Sequence, residues 1–391
     1  MERFQVTAYT ATCAAGNGTA ELLDALRDGR SGLRPNDFTR TPLSTWVGRV
    51  PGVEETPLPL QFAEYECRNN RLAWLAIQQD SFADAVCSAR QRHGDDRVAL
   101  VLGTSTSSIG ATEEAYSRLT ADGQFPPDLR RPAVHVPHST AQFLQHALGL
   151  RNVAITVATA CSSSAKAFAH GARLLEHGVA DAVVVGGVDS LCGSVLYGFN
   201  SLELVSSDPC RPFDAQRNGI NIGEAGAFAL LERDGPGPVL LGYGESSDAH
   251  HMSTPHPSGR GANLAMRAAL EAADIDAAAV DYVNLHGTAT LKNDEVEAQV
   301  IAQLFPARTH ASSTKGWTGH TLGAAGALEA VIALLALRSG FMPGNLNSRT
   351  LDPACGPQIR LGAATGRPRT AMSNSFGFGG SNCCLLFADA T

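Results

Sequence analysis

Short apolar runs rich in β-branched residues alternate with helical patterns along almost the whole chain. The run from Ala182 to Val188 is apolar throughout, which is typical of a strand covered by helices on both faces. Runs of this kind predict strands at Phe4–Tyr9, Arg97–Gly103, Val153–Val157, Asp181–Gly187, Ala225–Leu231, Val239–Tyr243, Asp281–His286, Gln358–Leu361, Thr370–Ser375 and Cys383–Phe387. Apolar positions at helical spacing predict helices near residues 17–28, 70–91, 162–177, 262–273, 293–304 and 321–338. The alternation of the two patterns predicts an α/β protein.

The connector Asp234-Gly-Pro-Gly-Pro238 is the strongest break in this pattern, because neither a helix nor a strand tolerates so much glycine and proline. It predicts two units, residues 1–234 and 239–391, each with its own strands and helices. The 391 residues are 44% hydrophobic but only 17% charged, whereas soluble domains average roughly 25% charged residues. This composition excludes disorder and predicts a large core, with further surface buried in an oligomer.

The net charge of −8 argues against a general binder of nucleic acid or anionic membranes, which would need a basic surface. An acidic partner must therefore dock on a local basic patch. The nine cysteines include no CxxC pair, and they indicate neither a disulfide framework nor a zinc site. The N-terminal sequence lacks the features of a signal peptide, and the apolar stretch from Leu322 to Leu337 is short for a membrane span. We expect a cytoplasmic protein with reduced thiols.

Cys161 lies where an apolar strand ends and the next helix begins, in the segment Thr-Ala-Cys161-Ser-Ser-Ser. A thiol at a helix N-terminus lies near positive partial charge and unpaired N–H groups, which favour the thiolate and lower the thiol pKa. The position predicts an activated nucleophile beside an oxyanion site. A buried structural cysteine is the alternative that this segment alone leaves open.

Two histidines, a lysine and a glutamate are further candidates for chemistry. His286 ends its predicted strand at a Gly-Thr turn, so we expect its side chain to project from the strand end rather than into a core. Lys315 and His320 flank a glycine-containing loop that leads into the apolar helix. Glu329 is the isolated acid of that helix, and burying it unpaired would cost roughly several kcal/mol. Lys315 is one candidate partner, and exposure of Glu329 on a solvated stripe is the alternative.

Four motifs together resemble the β-ketoacyl-[acyl-carrier-protein] synthases I and II, decarboxylating condensing enzymes of the thiolase superfamily. The motifs are TACSSS at 159–164, HGT at 286–288, Lys-x-x-x-Gly-His at 315–320 and NSFGFGGSN at 374–382. The segments Arg211-Pro-Phe-Asp214 and Gly223-Glu224 add to the resemblance, which spans residues 3–388. It implies a thiolase-like duplicated α/β fold, layered αβαβα, and a reaction that needs no metal or organic cofactor.

The resemblance implies a catalytic triad of Cys161, His286 and His320, supported by Lys315 and Glu329. An acyl group would transfer to the cysteine through an oxyanion held by backbone amides. Malonyl thioester would then lose CO2, and the histidines would stabilise the resulting enolate before it attacks the acyl-cysteine. The residues implied to surround the substrate are Phe378, whose amide would complete the oxyanion site, with Phe199, Phe376, Thr106, Ser253, Thr288 and Thr290.

The implied partners are an acyl-carrier protein, docked at Arg68 and Arg71, and a second subunit. That subunit would be an identical chain, or a related synthase or chain-length-factor subunit in a heterodimer. The chain departs from the usual family pattern at Leu291, Asn218 and Ala225, and its tract Thr104–Ile109 is unusually polar for an acyl pocket. The acyl preference therefore stays open between primary fatty-acid elongation and a specialised pathway, such as the aryl-polyene type.

Two other functions are alternatives to the synthase. A non-catalytic subunit that resembles a chain-length factor should have lost the nucleophile, and this chain retains Cys161. A CoA-dependent thiolase needs a further cysteine base near the C-terminus, for which Cys383 and Cys384 are candidates. Thiolases have that cysteine in place of the second histidine, and here His320 is present, so the sequence favours the synthase.

Overall fold

The predicted alternation of strands and helices is present in the computed structural model, which describes residues 2–389. The strands are β1 Phe4–Cys13, β2 Gly16–Asn17, β3 Leu33–Pro35, β4 Trp46–Gly48, β5 Val98–Gly103, β6 Ala154–Val157, β7 Ala182–Asp189, β8 Ile222–Gly223, β9 Ala225–Glu232, β10 Val239–Ser247, β11 Tyr282–Asn284, β12 His310–Ser312, β13 Phe341–Met342, β14 Ala364–Thr365, β15 Thr370–Gly377 and β16 Ser381–Ala388. The α-helices are α1 Thr19–Asp28, α2 Arg68–Ile77, α3 Phe82–His93, α4 Ile109–Ser117, α5 Ser139–Ala147, α6 Ser163–Glu176, α7 Gly193–Ser201, α8 Arg260–Ala273, α9 Leu291–Leu304, α10 Lys315–Thr318 and α11 Ala325–Ser339. Short 3-10 helices lie at Leu60–Tyr65, Pro127–Leu129, Ala277–Ala279, Leu322–Ala324 and Phe378–Gly380.

The main sheet repeats one set of strand pairings in its two halves. The order is β12-β11-β15-β16-β10-β1-β9-β7-β5-β6, with β2 on β1. In one half β6, β5 and β7 pair in parallel and are followed by antiparallel β9 and β1. In the other half β12, β11 and β15 pair in parallel and are followed by antiparallel β16 and β10. A short β1–β10 pairing joins the halves, so the fold is duplicated as the resemblance implied.

Helices cover both faces of each half-sheet. Along β7, Val183 and Val185 pack into a central core with α6 and α11, whereas Val184 packs on the opposite face with α2, α3 and α5. Along β16, Leu385 packs into the central core, whereas Leu386 packs with α8 and α9. Side chains alternate between the two faces of a strand, so each half-sheet has one inner and one outer face. The layers are therefore αβαβα, with α6 and α11 in the middle.

The apolar helix that begins near Leu322 is part of this middle layer. Residues Leu322–Ser339 are long and apolar enough to cross a membrane, but 89% of the segment is buried inside the fold. Its apolar composition is explained by burial against both half-sheets, because a helix buried all round needs no polar face.

The structure corrects two sequence predictions and adds α-helices that were not predicted. The helix predicted at 70–91 is two helices, because Asp80 and Ser81 have positive φ angles and break it between α2 and α3. The strand predicted at Gln358–Leu361 is a single bridge between Ile359 and Ala311. Helices α4, α5 and α7 were missed because they are short. The connector at 234–238 joins β9 to β10, and the division into two units stays a prediction.

Candidate active site

Cys161 occupies a strained turn between β6 and α6. Ala160 has a φ of 51°, a left-handed conformation that is uncommon for a residue with a side chain. The turn places Cys161 directly before Ser162, the N-cap of α6, and leaves the residue only 4% exposed. The sulfur faces a cavity of about 370 Å³. Strain at this turn therefore places the thiol where a substrate could reach it.

Cys161, His286 and His320 lie together in this cavity. The Nε2 atom of His320 is 3.0 Å from the Sγ atom of Cys161. The two imidazole rings are 5.4 Å apart between centroids and nearly perpendicular, at 85°. His286 follows β11, whereas His320 is held in place by its backbone, which donates to Asn221 O and accepts from the N–H of Gly223. The fold thus assembles the three residues that the resemblance implied, from positions far apart in the sequence.

Burial fixes the charge of the two histidines. It lowers the pKa of both His286 and His320 well below the ordinary value, and the nearby ammonium of Lys315 lowers both further. Both rings are therefore neutral at pH 7. A neutral imidazole has one N–H donor and one acceptor nitrogen, so each ring can donate to an oxyanion or accept a proton.

The expected low pKa of Cys161 is wrong. Burial raises the pKa of the thiol to about 11, although Lys315 and the backbone N–H of Phe378 both favour the thiolate. Loss of hydration outweighs these favourable interactions, since Cys161 is only 4% exposed. The resting group is therefore a neutral thiol, and the acceptor nearest to its proton is His320.

Lys315 and Glu329 form a buried ion pair beneath the histidines. The Lys315 ammonium donates to the Glu329 carboxylate and also to the backbone oxygen of His286, at 2.6 Å. The two residues are 1% and 3% exposed, so Glu329 does not lie on a solvated stripe. Burial raises the pKa of Glu329 to about 7, and Lys315 opposes this rise. The pair holds the backbone of His286, and breaking either half would leave an uncompensated buried charge.

Glu297 is a second acid that positions His286, and the sequence analysis missed it. Its carboxylate accepts from the backbone N–H groups of His286 and Gly287, at 2.9 and 2.8 Å, and from the side chain of Asn374. Burial raises its pKa to about 7. The available signal was its spacing from Asp294 on α9, which places two acids on one buried helix face. Asp294 accepts from the backbone N–H of Ala289 in the same loop.

Asp189 at the end of β7 was also missed. Its buried carboxylate accepts from the hydroxyl groups of Thr104 and Thr106, from backbone N–H groups of residues 105 and 106, and from the N–H of Gly323. Gly323 lies three residues after His320. Asp189 therefore ties the polar tract after β5 to the segment that carries His320, and this explains why the tract is polar.

The cavity collects most of the residues implied to contact the substrate. Its walls include Phe199, Ser253, Thr288, Thr290, Phe376 and Phe378, together with Asn218 and Leu291. Thr106 was expected to surround the substrate as well, and this prediction is corrected. It does not line this cavity, because its hydroxyl is bound to Asp189 at 2.7 Å.

The arginines expected to dock a carrier protein are already paired. Arg68 binds the buried carboxylate of Glu224 and also Glu54, and Arg71 binds Glu66. Carrier docking at these residues stays a prediction, and acidic groups of a carrier would compete there with Glu54 and Glu66.

The cysteines expected of a thiolase lie elsewhere. Cys383 and Cys384 are both buried in β16, where Cys383 packs in the central core and Cys384 in the outer core beside α8 and α9. Neither lines the cavity, so neither can act as a base there. In residues 2–389, Cys161, His286 and His320 also form the one group of three potential metal ligands, with donor atoms within 4.8 Å. Ligation would occupy the thiol and both imidazoles, and the expectation of a metal-free site stays a prediction.

Comparisons with known proteins cover the whole chain. Residues 1–235 match the family described as beta-ketoacyl synthase, N-terminal domain, and residues 238–349 match its C-terminal domain. Nodulation protein E from Rhizobium meliloti is 32% identical, over 98% of both chains. A mitochondrial 3-oxoacyl-[acyl-carrier-protein] synthase from Arabidopsis thaliana is 40% identical, over 59% of this chain and 55% of that protein.

Solved structures of ketosynthases are similar to this chain over its whole length. A ketosynthase, ApeO, in complex with its chain length factor, ApeC, from Xenorhabdus doucetiae has a TM-score of 0.92 and 37% sequence identity, over 100% of this chain and 98% of that chain. The ishigamide ketosynthase/chain length factor has a TM-score of 0.90 and 26% identity, over 100% of both chains.

Proposed function

The chain belongs to the β-ketoacyl synthase family, and we propose that it is an active condensing enzyme whose substrates are thioesters of an acyl-carrier protein. The observation that carries this proposal is the 3.0 Å contact between Cys161 Sγ and His320 Nε2, in a cavity that also holds His286. A nucleophile, a base within hydrogen-bond distance and a second imidazole are the groups that acyl transfer followed by decarboxylation requires.

In the first step the Cys161 thiol attacks the carbonyl carbon of an acyl thioester. The thiol proton passes to His320, and the carbonyl oxygen becomes an oxyanion. Backbone N–H groups of Cys161 and Phe378 would hold it, and the Phe378 N–H that faces the sulfur supports this part of the proposal. When the intermediate collapses, the carrier thiol leaves with the proton from His320, and the acyl group stays on the cysteine.

In the second step a malonyl thioester loses CO2. The electron pair of the broken C–C bond forms an enolate, whose oxygen accepts hydrogen bonds from the neutral rings of His286 and His320. The enolate carbon attacks the acyl group on Cys161, and the C–S bond breaks to release a β-ketoacyl thioester. The Cys161 sulfur leaves as a thiolate and takes up a proton from solvent, which restores the thiol. Lys315 and Glu297 act on this step indirectly, because both hold the backbone of His286.

The cavity suits a long, mostly apolar substrate with a polar arm. Phe199 and Phe378 pack with ring centroids 5.5 Å apart and form an apolar wall. The hydroxyl groups of Thr288 and Thr290 lie 2.9 Å apart on the same cavity surface and can bind the amides of a pantetheine arm. These features support a carrier-bound acyl substrate.

A second subunit is part of the proposal. ApeO is a ketosynthase in complex with a chain length factor, and we infer a comparable pairing here, with an identical or a related chain. Within residues 2–389, the last strand of the sheet, β6, has no strand paired to its outer edge, and Val153 beside it is 41% exposed. An open edge of this kind can pair with a strand of another subunit. The nine free thiols fit a protein that acts in the reducing cytoplasm.

Reconstitution tests the proposed activity. The purified full-length chain, alone and with a co-expressed related subunit, is mixed with a panel of acyl-carrier-protein thioesters and malonyl-carrier protein, and products are identified by mass. We expect a β-ketoacyl thioester from the wild-type chain and none from Cys161→Ala. The absence of product with every carrier and either subunit arrangement would support the non-catalytic alternative and overturn the proposal.

A further inference from the structure

A second cavity, of about 740 Å³, lies at the opposite end of the strands that carry the active site. Asp281 directly precedes β11, His310 begins β12, and Arg367 lies shortly before β15. These three strands run in parallel, so their first residues share one edge of the sheet. His286 follows the other end of β11. The second cavity is therefore separate from the site at Cys161.

The chain segment around this cavity is basic, although the protein is acidic. Residues 305–370 contain seven of the 30 basic residues and two of the 38 acidic residues, so this segment carries +5 and the remainder −13. Both acids form ion pairs away from the cavity: Glu329 pairs with Lys315, and Asp352 pairs with Arg217. Neither acid of this segment is therefore available to pair with the arginines of the cavity.

Three arginines concentrate this charge on the cavity wall. Arg308, Arg360 and Arg367 all line the cavity, and within residues 2–389 none of them forms an ion pair with a carboxylate. Arg308 and Arg360 each donate one N–H to a backbone carbonyl, those of Ala278 and Ala307, which fixes the side chains and leaves other N–H groups unused.

One acid, Asp281, also lines the cavity, and its charge is partly satisfied. One of its carboxylate oxygens accepts from the backbone N–H groups of Arg369 and Thr370, at 2.7 and 3.3 Å. Three guanidinium groups against one carboxylate give the concave surface a net positive charge. Beside them the wall is made of small residues, Gly362, Ala363 and Ala364, which leave room for a ligand.

We propose that this cavity binds a phosphorylated small molecule, whose phosphate oxygens are held by Arg308, Arg360 and Arg367. A guanidinium group presents parallel N–H donors that match two oxygens of a phosphate. The volume lies in the range of about 300–1,000 Å³ that small-molecule sites occupy. The arginines line a concave surface, which a small ligand can enter. The surface of an acidic protein is convex and fits such a cavity less well.

The test is calorimetric titration of the full chain with pyrophosphate and with ADP, at about 0.1 M ionic strength. We expect saturable binding by the wild-type chain, unchanged in Cys161→Ala, because the active site is separate. Arg360→Gln and Arg367→Gln should each weaken binding about tenfold, as expected for the loss of one charge-assisted contact. Arg367 has no hydrogen bond to another described residue, so its variant should fold normally. Arg27→Gln and Arg151→Gln, at exposed arginines elsewhere, are matched controls and should bind like the wild type.

Three results would overturn the inference. The first is no saturable binding of either phosphate compound, and the second is equal binding by the cavity variants and the controls. The third is binding of polyglutamate without binding of pyrophosphate or ADP, which would indicate a surface for an acidic protein. Each of these outcomes is independent of the condensing activity, since the assay requires no turnover.

Discussion

His320 Nε2 lies 3.0 Å from Cys161 Sγ, and both groups are neutral at pH 7. Burial produces this state, because it raises the pKa of the thiol to about 11 and lowers that of the imidazole well below its ordinary value. The protein therefore keeps its nucleophile as a thiol in contact with a base, rather than as a thiolate. In the proposed mechanism the proton moves to His320 as the sulfur attacks a carbonyl carbon.

Alkylation of Cys161 tests this resting state. The rate of labelling by iodoacetamide at residue 161, measured by mass mapping, should rise continuously between pH 6 and pH 9, since the thiolate is a minor species throughout this range. Exposed Cys87 serves as an internal reference for the reagent. A labelling rate at Cys161 that reaches a plateau by pH 7 would show a thiolate at rest and contradict this assignment.

The two histidines should differ in the half-reactions they affect. His320→Ala should slow both acyl transfer and malonyl decarboxylation, because His320 contacts the thiol and also faces the enolate. His286→Ala should slow decarboxylation by about 100- to 1,000-fold and leave acyl transfer nearly unchanged, since it loses one oxyanion donor. Separate assays of acyl-enzyme formation and of CO2 release measure the two steps. Equal losses in both steps for His286→Ala would refute this division of roles.

Glu297 should make stability depend on pH. Its pKa is about 7 when folded, against an ordinary value of 4.5, so the folded chain holds this proton more tightly than the unfolded chain. The stabilisation is complete below pH 4.5 and is lost as the pH rises through 7. The difference in free energy of unfolding between wild type and Glu297→Gln should therefore be larger at pH 5 than at pH 8. With about 1.36 kcal/mol for each unit of pKa, the change is on the order of 3 kcal/mol.

Urea unfolding at the two pH values measures this difference. Glu295→Gln is the matched control, since Glu295 is on the same helix but exposed and paired with Lys292 at the surface. For Glu295→Gln, the difference in free energy of unfolding from the wild type should be the same at pH 5 and at pH 8. If Glu297→Gln behaved like this control, the proposed titration of Glu297 would be wrong.

Gly223 should be indispensable to the position of His320. A Cβ atom at residue 223 would overlap the carbonyl oxygen of Thr318, two residues before His320. Gly223→Ala should therefore displace that loop, lower the melting temperature and reduce decarboxylation. Gly198→Ala is the control, because a Cβ atom there meets no atom within 4 Å. A Gly223→Ala variant with wild-type melting temperature and activity would disprove this steric account.

The strands could be predicted from the sequence for physical reasons, whereas the triad was implied by the family resemblance. Apolar runs such as Ala182–Val188 indicate buried strands, because burial on both faces leaves no polar positions. Cys161, His286 and His320 each lie at the end of an element next to small residues, and the motifs around them are specific. Burial of Glu329 could be anticipated as well, since an isolated acid on an apolar helix needs a partner.

Other features of the site could not be predicted, because they depend on contacts between segments that are distant in the chain. Glu297 and Asp189 bind backbone N–H groups of distant segments. The spacing of Glu297 from Asp294 could indicate a buried acidic helix face, but residue types alone do not identify the backbone groups that either acid binds. The expectation of a low pKa for Cys161 rested on the helix N-terminus. It left out the burial of the thiol, which only the fold determines. Thr106 was assigned to the pocket by analogy, whereas its hydroxyl is bound to Asp189.

Intact mass spectrometry of the acyl-enzyme tests the central claim most directly. The full chain is incubated with an acyl-carrier-protein thioester without malonyl substrate, and the modified peptide is then sequenced. We predict a mass increase of one acyl group at Cys161, which disappears when malonyl-carrier protein is added and a β-ketoacyl thioester forms. A chain that remains unmodified with every acyl-carrier protein, or that carries the acyl group at another residue, would contradict the account.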